Sequence, residues 1–376
     1  MAATRQTIKP DTARPEDARP LKKRRGLLIA LTIILAAILL ATWLEYNSPS
    51  NKTDPAIPGQ PLSNRENHLH IIAQGAQPGS LYLGTHFGIF TSKDNGRSWP
   101  QPRGIMNQFM ITSISYNPTQ PSQMGIIALP TGSLGGKAGV YFSRDNGQNW
   151  QASQPTNLNG NVYPFSIRAG SGGPGNFYAF YVYAGWYETN DLGAHWHPIT
   201  SSPLANMLTP SFLTDPTNPK HLLLGGDQGL FESLDDGSTW NQLSSVQGNV
   251  LSLVATPGSQ SRPRTIYCSS DQGIYRWSDT KGSSPVQIKT RNFPNSSLAR
   301  LTMDADGTTL YGFSGTDLWV STDAAQSWSK RWSFSRLDLT TFIADRFHPG
   351  HLYAGFLTPG TVQESTDGGR NWHKLT

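Results

Sequence analysis

The apolar residues of this chain fall into short runs that recur along most of its length. From His68 onward, runs of four to seven residues rich in Val, Ile, Leu, Tyr and Phe alternate with segments of Gly, Pro, Asn and Asp. Such short runs, bounded by turn residues, are typical of β-strands. Four runs recur in each period of about 44 residues, which is the pattern of one β-propeller blade. We therefore predict an all-β domain over residues 66–376, a seven-bladed β-propeller of four-stranded antiparallel blades.

A polar motif of the form Ser-x-Asp-x-Gly-x-x-Trp lies between the third and fourth runs of most repeats. The intervals between its successive aspartates are 51, 46, 44, 88 and 44 residues. Because the long interval is twice the usual one, a further copy is expected at residue 279. Asp279 stands there and keeps the register, although the Ser, Gly and Trp of the motif are lost. The aspartates of the recognisable copies are Asp94, Asp145, Asp191, Asp235, Asp323 and Asp367.

The motif has the chemistry of a tight turn at a point where the chain must reverse. An aspartate side chain accepts hydrogen bonds from the backbone N–H groups that follow it, and glycine adopts a positive φ without steric cost. The tryptophan can then cover the apolar flank between two blades. We predict a structural role for these six aspartates. A bound cation or another direct role is the alternative.

The motif resembles the Asp-box, or bacterial neuraminidase repeat, and the resemblance extends over most of the chain. In propellers of that family the boxes lie at the rim, on the face opposite the usual binding site. The resemblance therefore implies that binding occurs on the other face. All four strands of each repeat can be found in order, so we expect the ring to close without a strand shared between the first and last blades.

The first 65 residues differ in kind from the repeats. Residues 1–25 carry eight Lys or Arg and three acids, and residues 26–44 are uncharged and apolar. An apolar segment of about 20 residues spans a bilayer as a helix, and flanking positive charges favour the cytoplasm. We predict a basic cytoplasmic tail, a single transmembrane anchor at 26–44 and a flexible stalk at 45–65, which places the propeller outside the cell membrane. Secretion after cleavage of a signal peptide is the alternative, although the apolar run is long and no cleavage signature follows it.

The net charge of the chain lies in this tail. The formal charge is +5, and beyond residue 25 the basic and acidic residues are equal in number. A neutral propeller has no general attraction to phosphate, so no nucleic-acid partner is implied. The lone cysteine, Cys268, cannot form an intrachain disulfide, and we expect a small buried side chain on an inner strand.

Sialidase activity, which the name of the repeat suggests, is not supported by the sequence. The Arg-Ile-Pro expected of that family is absent, and seven repeats replace its six blades. Glu188, Glu232 and Glu364 share one repeat position, immediately before the box Ser or Thr. A recurring position of this kind favours exposed strand surface over a catalytic base. No cofactor motif or set of spaced metal ligands is found, so we predict no cofactor, no metal and no catalytic residue. His68 and His70 are interpreted as packing or surface residues.

A glycan-acting hydrolase is the enzymatic alternative. A glycosidase needs two carboxyl groups about 5–10 Å apart. Asp227 and Asp271 are the candidates, because both fall between the second and third strands of neighbouring blades. They also share one repeat position, in Asp-Gln-Gly, which is favourable turn chemistry.

The chain also resembles the photosystem II stability and assembly factor family, in which one seven-bladed propeller with these repeats is tethered outside a membrane. Members of that family are non-enzymatic and hold membrane-protein partners during assembly. The resemblance implies a membrane-anchored scaffold for a protein partner at or near the membrane, with a glycan as the alternative ligand. This propeller has no net charge, and its arginines fall in three separate blade connections, which departs from a single basic run.

Two sets of loops are expected together on the face opposite the boxes, because successive strands alternate in direction. One set joins the second and third strands of a blade, and the other joins one blade to the next. Loops on a rigid scaffold commonly carry binding sites, and clustered Arg and aromatic side chains dominate interface energies. The candidate binding residues are Arg103, Tyr183, Asp227, Asp271, Arg291, Phe293, Arg331, Trp332 and Arg336. Those in the two successive connections at residues 291–297 and 330–336 are predicted to form one patch on this face.

Overall fold

The computed structural model describes the chain from Leu62 onward, with short gaps. The predicted tail, the predicted anchor and nearly all of the predicted stalk lie outside the described residues, as does Arg103. Within the part of the chain that is described, no helix is long and apolar enough to cross a membrane. The described residues are 62, 67–100, 104–131, 137–156, 158, 162–200, 204–207, 211–259, 262–294 and 297–376.

The described strands form seven antiparallel sheets, each built from strands that are consecutive in the sequence. This confirms the predicted seven-bladed propeller. Blade 1 has three strands among the described residues, and residues 101–103, which follow its box, lie outside them. The strands of blades 1 to 3 are β1 (Leu69–Gln74), β2 (Leu81–Thr85), β3 (Gly88–Ser92), β4 (Phe109–Tyr116), β5 (Met124–Pro130), β6 (Gly139–Ser143), β7 (Gln151–Ser153), β8 (Tyr163–Ala169), β9 (Phe177–Val182), β10 (Gly185–Thr189) and β11 (His197–Pro198).

Blades 4 to 7 have four described strands each. Short 3₁₀ helices, Gly104–Gln108 and Leu204–Asn206, lie in the connections that lead to blades 2 and 4. The strands of these blades are β12 (Ser211–Thr214), β13 (Leu222–Gly226), β14 (Gly229–Ser233), β15 (Asn241–Gln242), β16 (Val250–Ala255), β17 (Thr265–Ser270), β18 (Gly273–Ser278), β19 (Val286–Gln287), β20 (Ala299–Met303), β21 (Leu310–Ser314), β22 (Asp317–Ser321), β23 (Ser329–Ser333), β24 (Leu339–Ala344), β25 (Leu352–Phe356), β26 (Thr361–Ser365) and β27 (His373–Lys374).

Burial falls from the second strand of a blade to the fourth. All residues of β2, β13 and β25 are buried, whereas both residues of β15 and of β27 are exposed. The second strand is covered on both faces by neighbouring blades, which is why it reads as a continuous apolar run. Cys268 lies in β17 and is fully buried, as predicted.

The apolar cores lie between neighbouring blades. At the junction that closes the ring, Leu83 and Phe90 of blade 1 pack with Tyr353 and Val362 of blade 7. Burial of apolar surface contributes about 25 cal/mol per Å². Because this surface is buried between blades, each blade is stabilised chiefly by its two neighbours.

Hydroxyl groups on the first strands join blades across the central ring. The N–H of Ile167 donates to Ser113 Oγ at 3.1 Å, and the N–H of Leu253 donates to Ser211 Oγ at 3.1 Å. The first strand of a blade has no strand partner on its inner edge, so its N–H groups need other acceptors. A Ser or Thr on the neighbouring first strand supplies one.

The ring closes without a shared strand among the described residues, in agreement with the expectation from sequence. Hydrogen bonds between loops and strand ends add to the apolar core at this junction. Leu69 N–H donates to the carbonyl of Leu357 at 3.2 Å, and Gln74 Nε2 donates to Asp345 Oδ1 at 2.6 Å. The guanidinium of Arg346 also reaches the carbonyl of Gly75 at 3.1 Å.

Candidate functional site

The propeller has two faces that differ in their loops. The box face consists of the box turns and the loops between the first and second strands. These two kinds of loop are joined, since Asn95 N–H donates to the Gly79 carbonyl at 2.9 Å and Asn146 N–H donates to the Ser122 carbonyl at 3.0 Å. The loop face consists of the hairpins between the second and third strands and the connections between blades.

The box of blade 7 shows the geometry of the motif. The Gly369 N–H donates to Ser365 Oγ at 2.9 Å, and the Ser365 hydroxyl donates to Asp367 Oδ1 at 2.8 Å. Asn371 donates twice to Asp367, from its N–H at 2.9 Å and from its side-chain amide at 2.7 Å. Both carboxylate oxygens of Asp367 therefore accept hydrogen bonds from its own turn, which is the arrangement a structural joint requires.

The other boxes repeat this pattern. The Ser98 and Ser92 hydroxyls and the Ser98 N–H hold the pKa of Asp94 at about 2. Around Asp145, the N–H and side-chain amide of Asn149 lower the pKa to about 2 in the same way. The N–H groups that donate to the box aspartate four residues earlier are those of Ser98, Asn149, His195, Thr239, Ser327 and Asn371.

The box tryptophans cover the flanks between blades. The indole N–H of Trp240 donates to the Ile199 carbonyl at 2.7 Å, and that of Trp196 donates to Ser153 Oγ at 2.8 Å. In both cases the acceptor belongs to the preceding blade. The Trp372 ring meets Phe334, again in the preceding blade, with centroids 5.0 Å apart.

In the degenerate fifth box, the aspartate has different partners. The side chain of Asp279 is 7% exposed and accepts hydrogen bonds from Arg264 Nε at 2.8 Å and Nη2 at 2.5 Å. His221 of blade 4 lies against the other oxygen of Asp279, with its Nδ1 3.0 Å away. Burial acts to lower the pKa of His221, but its contacts with Asp279 and Glu232 outweigh that and raise the pKa to about 9. The lost turn contacts are thus replaced by an ionic contact between blades 4 and 5.

The recurring glutamates are not exposed strand surface, which corrects the interpretation from sequence. Glu188 is 6% exposed, and burial is the main reason that its pKa is raised. Each glutamate reaches the residue that precedes the second strand of its own blade, since the second and third strands are paired there. The pairs are Glu188 with Asn176 (2.8 Å), Glu232 with His221 (2.9 Å) and Glu364 with His351 (3.1 Å).

Three candidate binding residues lie in hairpins of the loop face. Tyr183 is at the tip of the blade 3 hairpin, with a φ of 66° and a side chain that is 71% exposed. Asp227 is exposed in the equivalent hairpin of blade 4. Asp271 is half-buried in blade 5, where its Oδ1 accepts a hydrogen bond from the Asn249 N–H at 3.1 Å. Asp271 therefore fixes the connection between blades 4 and 5.

Arg336 is a fourth candidate on the loop face. Its Nε donates to Asp338 Oδ1 at 2.8 Å, and its guanidinium donates to the Thr358 carbonyl at 2.8 Å and to Thr361 Oγ1 at 3.0 Å. The same guanidinium lies over the Phe356 ring, 4.9 Å from its centroid. These contacts tie the connection between blades 6 and 7 to the next hairpin.

Arg291 and Phe293 lie elsewhere, which corrects their predicted place in a single patch on the loop face. The Arg291 N–H donates to the Gln326 carbonyl at 2.9 Å, and the Trp328 N–H donates to the Arg291 carbonyl at 3.1 Å. Gln326 and Trp328 belong to the box of blade 6. The fourth strand of blade 5 has only two residues, and the chain after it runs along the next box. Phe293 packs edge-on against Trp328, with centroids 6.3 Å apart.

Arg331 and Trp332 lie on the outer strand of blade 6, in a shallow depression with Lys330 and Ser333. The Cγ of Arg331 is 3.5 Å from the position that a Cβ on Gly369 would take, so it faces the box of blade 7. The structure thus brings Tyr183, Asp227, Asp271 and Arg336 to the loop face, and separates Arg291, Phe293 and Arg331 from them.

Three histidines gather on blade 1, where sequence indicated only packing or surface residues. The ring centroids of His68 and His86 are 5.5 Å apart, and those of His70 and His86 are 6.4 Å apart. Burial, and then the neighbouring His86 and His68, lower the pKa of His70 to about 3. The Phe87 ring lies edge-on to His86, with centroids 4.8 Å apart.

Sequence reasoning missed a histidine motif on the box face. The loops before β13 and β25 read DPTNPKH from Asp215 and DRFHPGH from Asp345. Each places a histidine six residues after an aspartate, immediately before the second strand. The shared spacing of Asp and His becomes visible when the repeats are compared over this loop instead of over the box.

Comparison with known proteins agrees with this geometry. The family described as BNR/Asp-box repeat matches residues 141–152, which contain the box of blade 2. The chain is therefore a seven-bladed propeller in which one box matches the Asp-box repeat. A search of curated protein sequences gives no match to this chain.

Solved structures with a similar fold include a xyloglucanase and YCF48. The GH74 xyloglucanase of Xanthomonas campestris aligns with a TM-score of 0.62 and 15% identity, over 85% of this chain and 55% of the enzyme. The chain therefore spans about half the length of that xyloglucanase. YCF48 from Cyanidioschyzon merolae aligns with a TM-score of 0.56 and 13% identity, over 83% of this chain and 99% of that protein. A structure of YCF48 bound to D1 peptide gives a TM-score of 0.53 and 15% identity, over 80% and 94%. At these identities the likeness shows the fold alone.

Proposed function

We propose that this propeller is a non-enzymatic scaffold that binds a protein partner through its loop face. The proposal includes an anchor at residues 26–44, with the propeller on the outer side of the cell membrane. The apolar segment and its basic flank support the anchor. No nucleic-acid partner and no cofactor belong to this function.

The conformation and exposure of Tyr183 carry the proposal. A non-glycine residue in the left-handed region costs roughly 1–2 kcal/mol. Asn, Asp or Gly would adopt the observed φ of 66° with less strain. Tyr183 is nevertheless an aromatic side chain that is 71% exposed. Strained, exposed positions of this kind cluster at functional sites, and tyrosine is among the residues enriched at interface hot spots.

Leu337 supports the same face. Its side chain is 82% exposed in the connection between blades 6 and 7. The neighbouring Arg336 and Asp338 hold that connection to the next hairpin, so Leu337 is presented from a rigid segment. Large apolar side chains on rigid loops lose little entropy on binding a partner, which favours recognition of a protein surface.

The carboxyl groups favour a scaffold over a glycan hydrolase. A glycosidase keeps one carboxyl protonated as its general acid. Burial raises the pKa of Glu188 and of Asp304, and both are on the box face, engaged by Asn176 and by the Gly350 N–H. Asp271, a candidate acid of the loop face, is committed to Asn249. The similar fold of YCF48 with a bound peptide is consistent with a protein ligand.

The experiment compares two pairs of substitutions in the full chain. Tyr183→Ala with Leu337→Ser removes exposed apolar groups from the loop face. Leu234→Ser with Val286→Ser removes similar groups from a box turn and an outer strand, where they are 57% and 65% exposed. Partners captured from membranes by wild-type protein are identified, and their affinities for all three proteins are measured. We expect the first pair to weaken binding about tenfold or more and the second pair to leave it unchanged.

Two results would contradict the scaffold. One is equal loss of binding in both pairs of variants. The other is release of reducing sugar from xyloglucan by wild-type protein that disappears in Asp227→Asn, which would favour the hydrolase.

The proposed topology has its own test. Protease added to spheroplasts of cells that express the protein should digest the propeller. A protected propeller would contradict the proposed topology.

A further inference from the structure

Blade 7 brings two imidazoles to one buried carboxylate. The Nδ1 atoms of His348 and His351 lie 3.1 and 3.4 Å from Asp345 Oδ2. The three potential ligand atoms are all within 4.8 Å of one another. The Asp345 side chain is 1% exposed, whereas that of His348 is 53% exposed. One side of the group is therefore fixed in the fold and the other is open to solvent.

These separations fit a tetrahedral metal ion. Zinc binds imidazole nitrogen and carboxylate oxygen at about 2.0–2.2 Å, so two ligand atoms of a tetrahedral site lie about 3.3 Å apart. The two nitrogen–oxygen distances around Asp345 Oδ2 lie on either side of that value. Two nitrogens and one oxygen are ligands that zinc accepts, whereas calcium and magnesium prefer sites made of oxygen.

The groups behind the three residues are those expected to support metal ligands. His351 Nε2 lies 3.1 Å from Glu364 Oε2, which leaves Nδ1 as the coordinating nitrogen when Nε2 carries the proton. The other oxygen of Asp345 accepts hydrogen bonds from Gln74 Nε2 at 2.6 Å and from the Phe347 N–H at 2.7 Å. Oδ2 is thus directed at the two histidines.

Blade 4 provides an internal comparison. It has the same aspartate and histidine, Asp215 and His221, but Asn218 stands where blade 7 has His348. Arg264 Nη2 lies 2.5 Å from Asp279 and 3.5 Å from Asp215. A guanidinium therefore already supplies the positive charge between these carboxylates, and a cation has no place there. Blade 7 differs by having a second histidine.

We propose that Asp345, His348 and His351 form a zinc site on the box face at the junction of blades 7 and 1, with water as the fourth ligand. The prediction from sequence that the chain binds no metal is replaced by this proposal. Because Gln74 of blade 1 binds the ligand Asp345, zinc also holds the loop that closes the ring. An ion that binds the folded chain and not the unfolded chain stabilises the fold by mass action.

The test uses untagged full-length protein stripped with a chelator. Zn²⁺ binding is measured by calorimetry, and Co²⁺ is added as a spectroscopic probe of tetrahedral coordination. The variant His348→Asn converts blade 7 to the sequence of blade 4 at an exposed position. The control His195→Asn removes an exposed histidine that contacts a single carboxylate, Asp191. Circular dichroism and thermal unfolding check that each variant folds.

We expect wild type and His195→Asn to bind one Zn²⁺, to give the visible bands of tetrahedral Co²⁺ and to melt at higher temperature with Zn²⁺. The folded His348→Asn variant should bind Zn²⁺ at least about tenfold more weakly and lose the Co²⁺ bands, since it lacks a ligand. Asn218→His should create no second site, because Arg264 remains. Wild-type affinity no greater than that of His348→Asn, or Co²⁺ bands that survive in that variant, would overturn the proposal.

Discussion

At the scale of the residue, the hydrogen-bond donors around each box aspartate determine its structural role and lower its pKa. Asp367 accepts four hydrogen bonds from Ser365, Arg370 and Asn371, and its pKa is about 2 because these contacts outweigh burial. The turn also requires two successive left-handed residues, which Gly368 and Gly369 supply. In blade 6 the same positions are Ala324 and Ala325, with φ of 57° and 67°. The fold accepts that strain in one blade because the rest of the turn is retained.

Asp367→Ala should lower the free energy of unfolding by about 1–3 kcal/mol at neutral pH, because backbone donors of the turn lose their acceptor. The folded pKa of about 2 lies below the ordinary value of 3.8, so the stability from this group is present above that value. It is lost as the pH falls through about 2. Urea unfolding of wild type and variant at several pH values measures the difference. A gap that persists unchanged down to pH ~1.5, below both pKa values, would contradict this account.

At the scale of the element, blade 5 shows how a repeat survives the loss of its box. Its β18 and β19 are still joined and paired, but Asp279 now binds Arg264 within the blade and His221 of blade 4. Buried ion pairs are stable only when their partners are complete, since removing one partner leaves an uncompensated charge. The blade therefore depends on its neighbour more than the intact boxes do.

His221 should give the propeller a distinct alkaline sensitivity. Its pKa is raised from 6.5 to about 9, since Asp279 and Glu232 outweigh the effect of burial. The stability it contributes is fully present below pH 6.5 and is lost as the pH rises through about 9. Thermal unfolding followed from pH 6 to 10 should show this decline in wild type. His221→Gln should be less stable at pH 6 and lose the decline, while the exposed control His373→Gln should retain it.

At the scale of the whole molecule, ring closure depends on a few polar contacts and one shared core. Among the described residues, no strand is shared between blades 7 and 1. Hydrogen bonds from Gln74 and Arg346 connect the two blades instead. Gln74 donates to Asp345 and accepts from the Arg346 N–H at 2.9 Å. At every other junction the two blades are consecutive in the sequence and are linked by the chain itself. At this junction the two blades come from distant parts of the sequence.

Gln74→Ala should loosen the closing junction selectively. It leaves the Arg346 N–H without its acceptor and removes one of the two donors to Asp345 Oδ1, at a cost of about 1–3 kcal/mol. We expect faster hydrogen exchange in β1 and β24, measured by mass spectrometry. The control Gln123→Ala removes a comparable contact to the Gly175 N–H (2.7 Å) between blades 2 and 3. Identical exchange maps for the two variants would show that closure is no weaker than other junctions.

The sequence by itself determined the number of blades, the order of their strands and the position of every box. These features are local and repeated, so turn chemistry and apolar runs within about 44 residues suffice to predict them. It also identified Tyr183 and Asp227 as loop-face residues, because strand direction follows from counting strands. The register of the degenerate repeat could be read in the same way, from Asp279.

Only the tertiary structure decided what the charged side chains contact. Arg291 runs along the box of the next blade, and Arg336 is bound by Asp338 and the neighbouring hairpin. The glutamates that recur before the boxes are paired with residues 11 to 13 positions away. The histidines of blade 7 meet one carboxylate whose other oxygen is held from 271 residues away by Gln74. Periodicity shows the order of strands, whereas these contacts depend on how paired strands, neighbouring blades and the two ends of the repeat array place particular side chains.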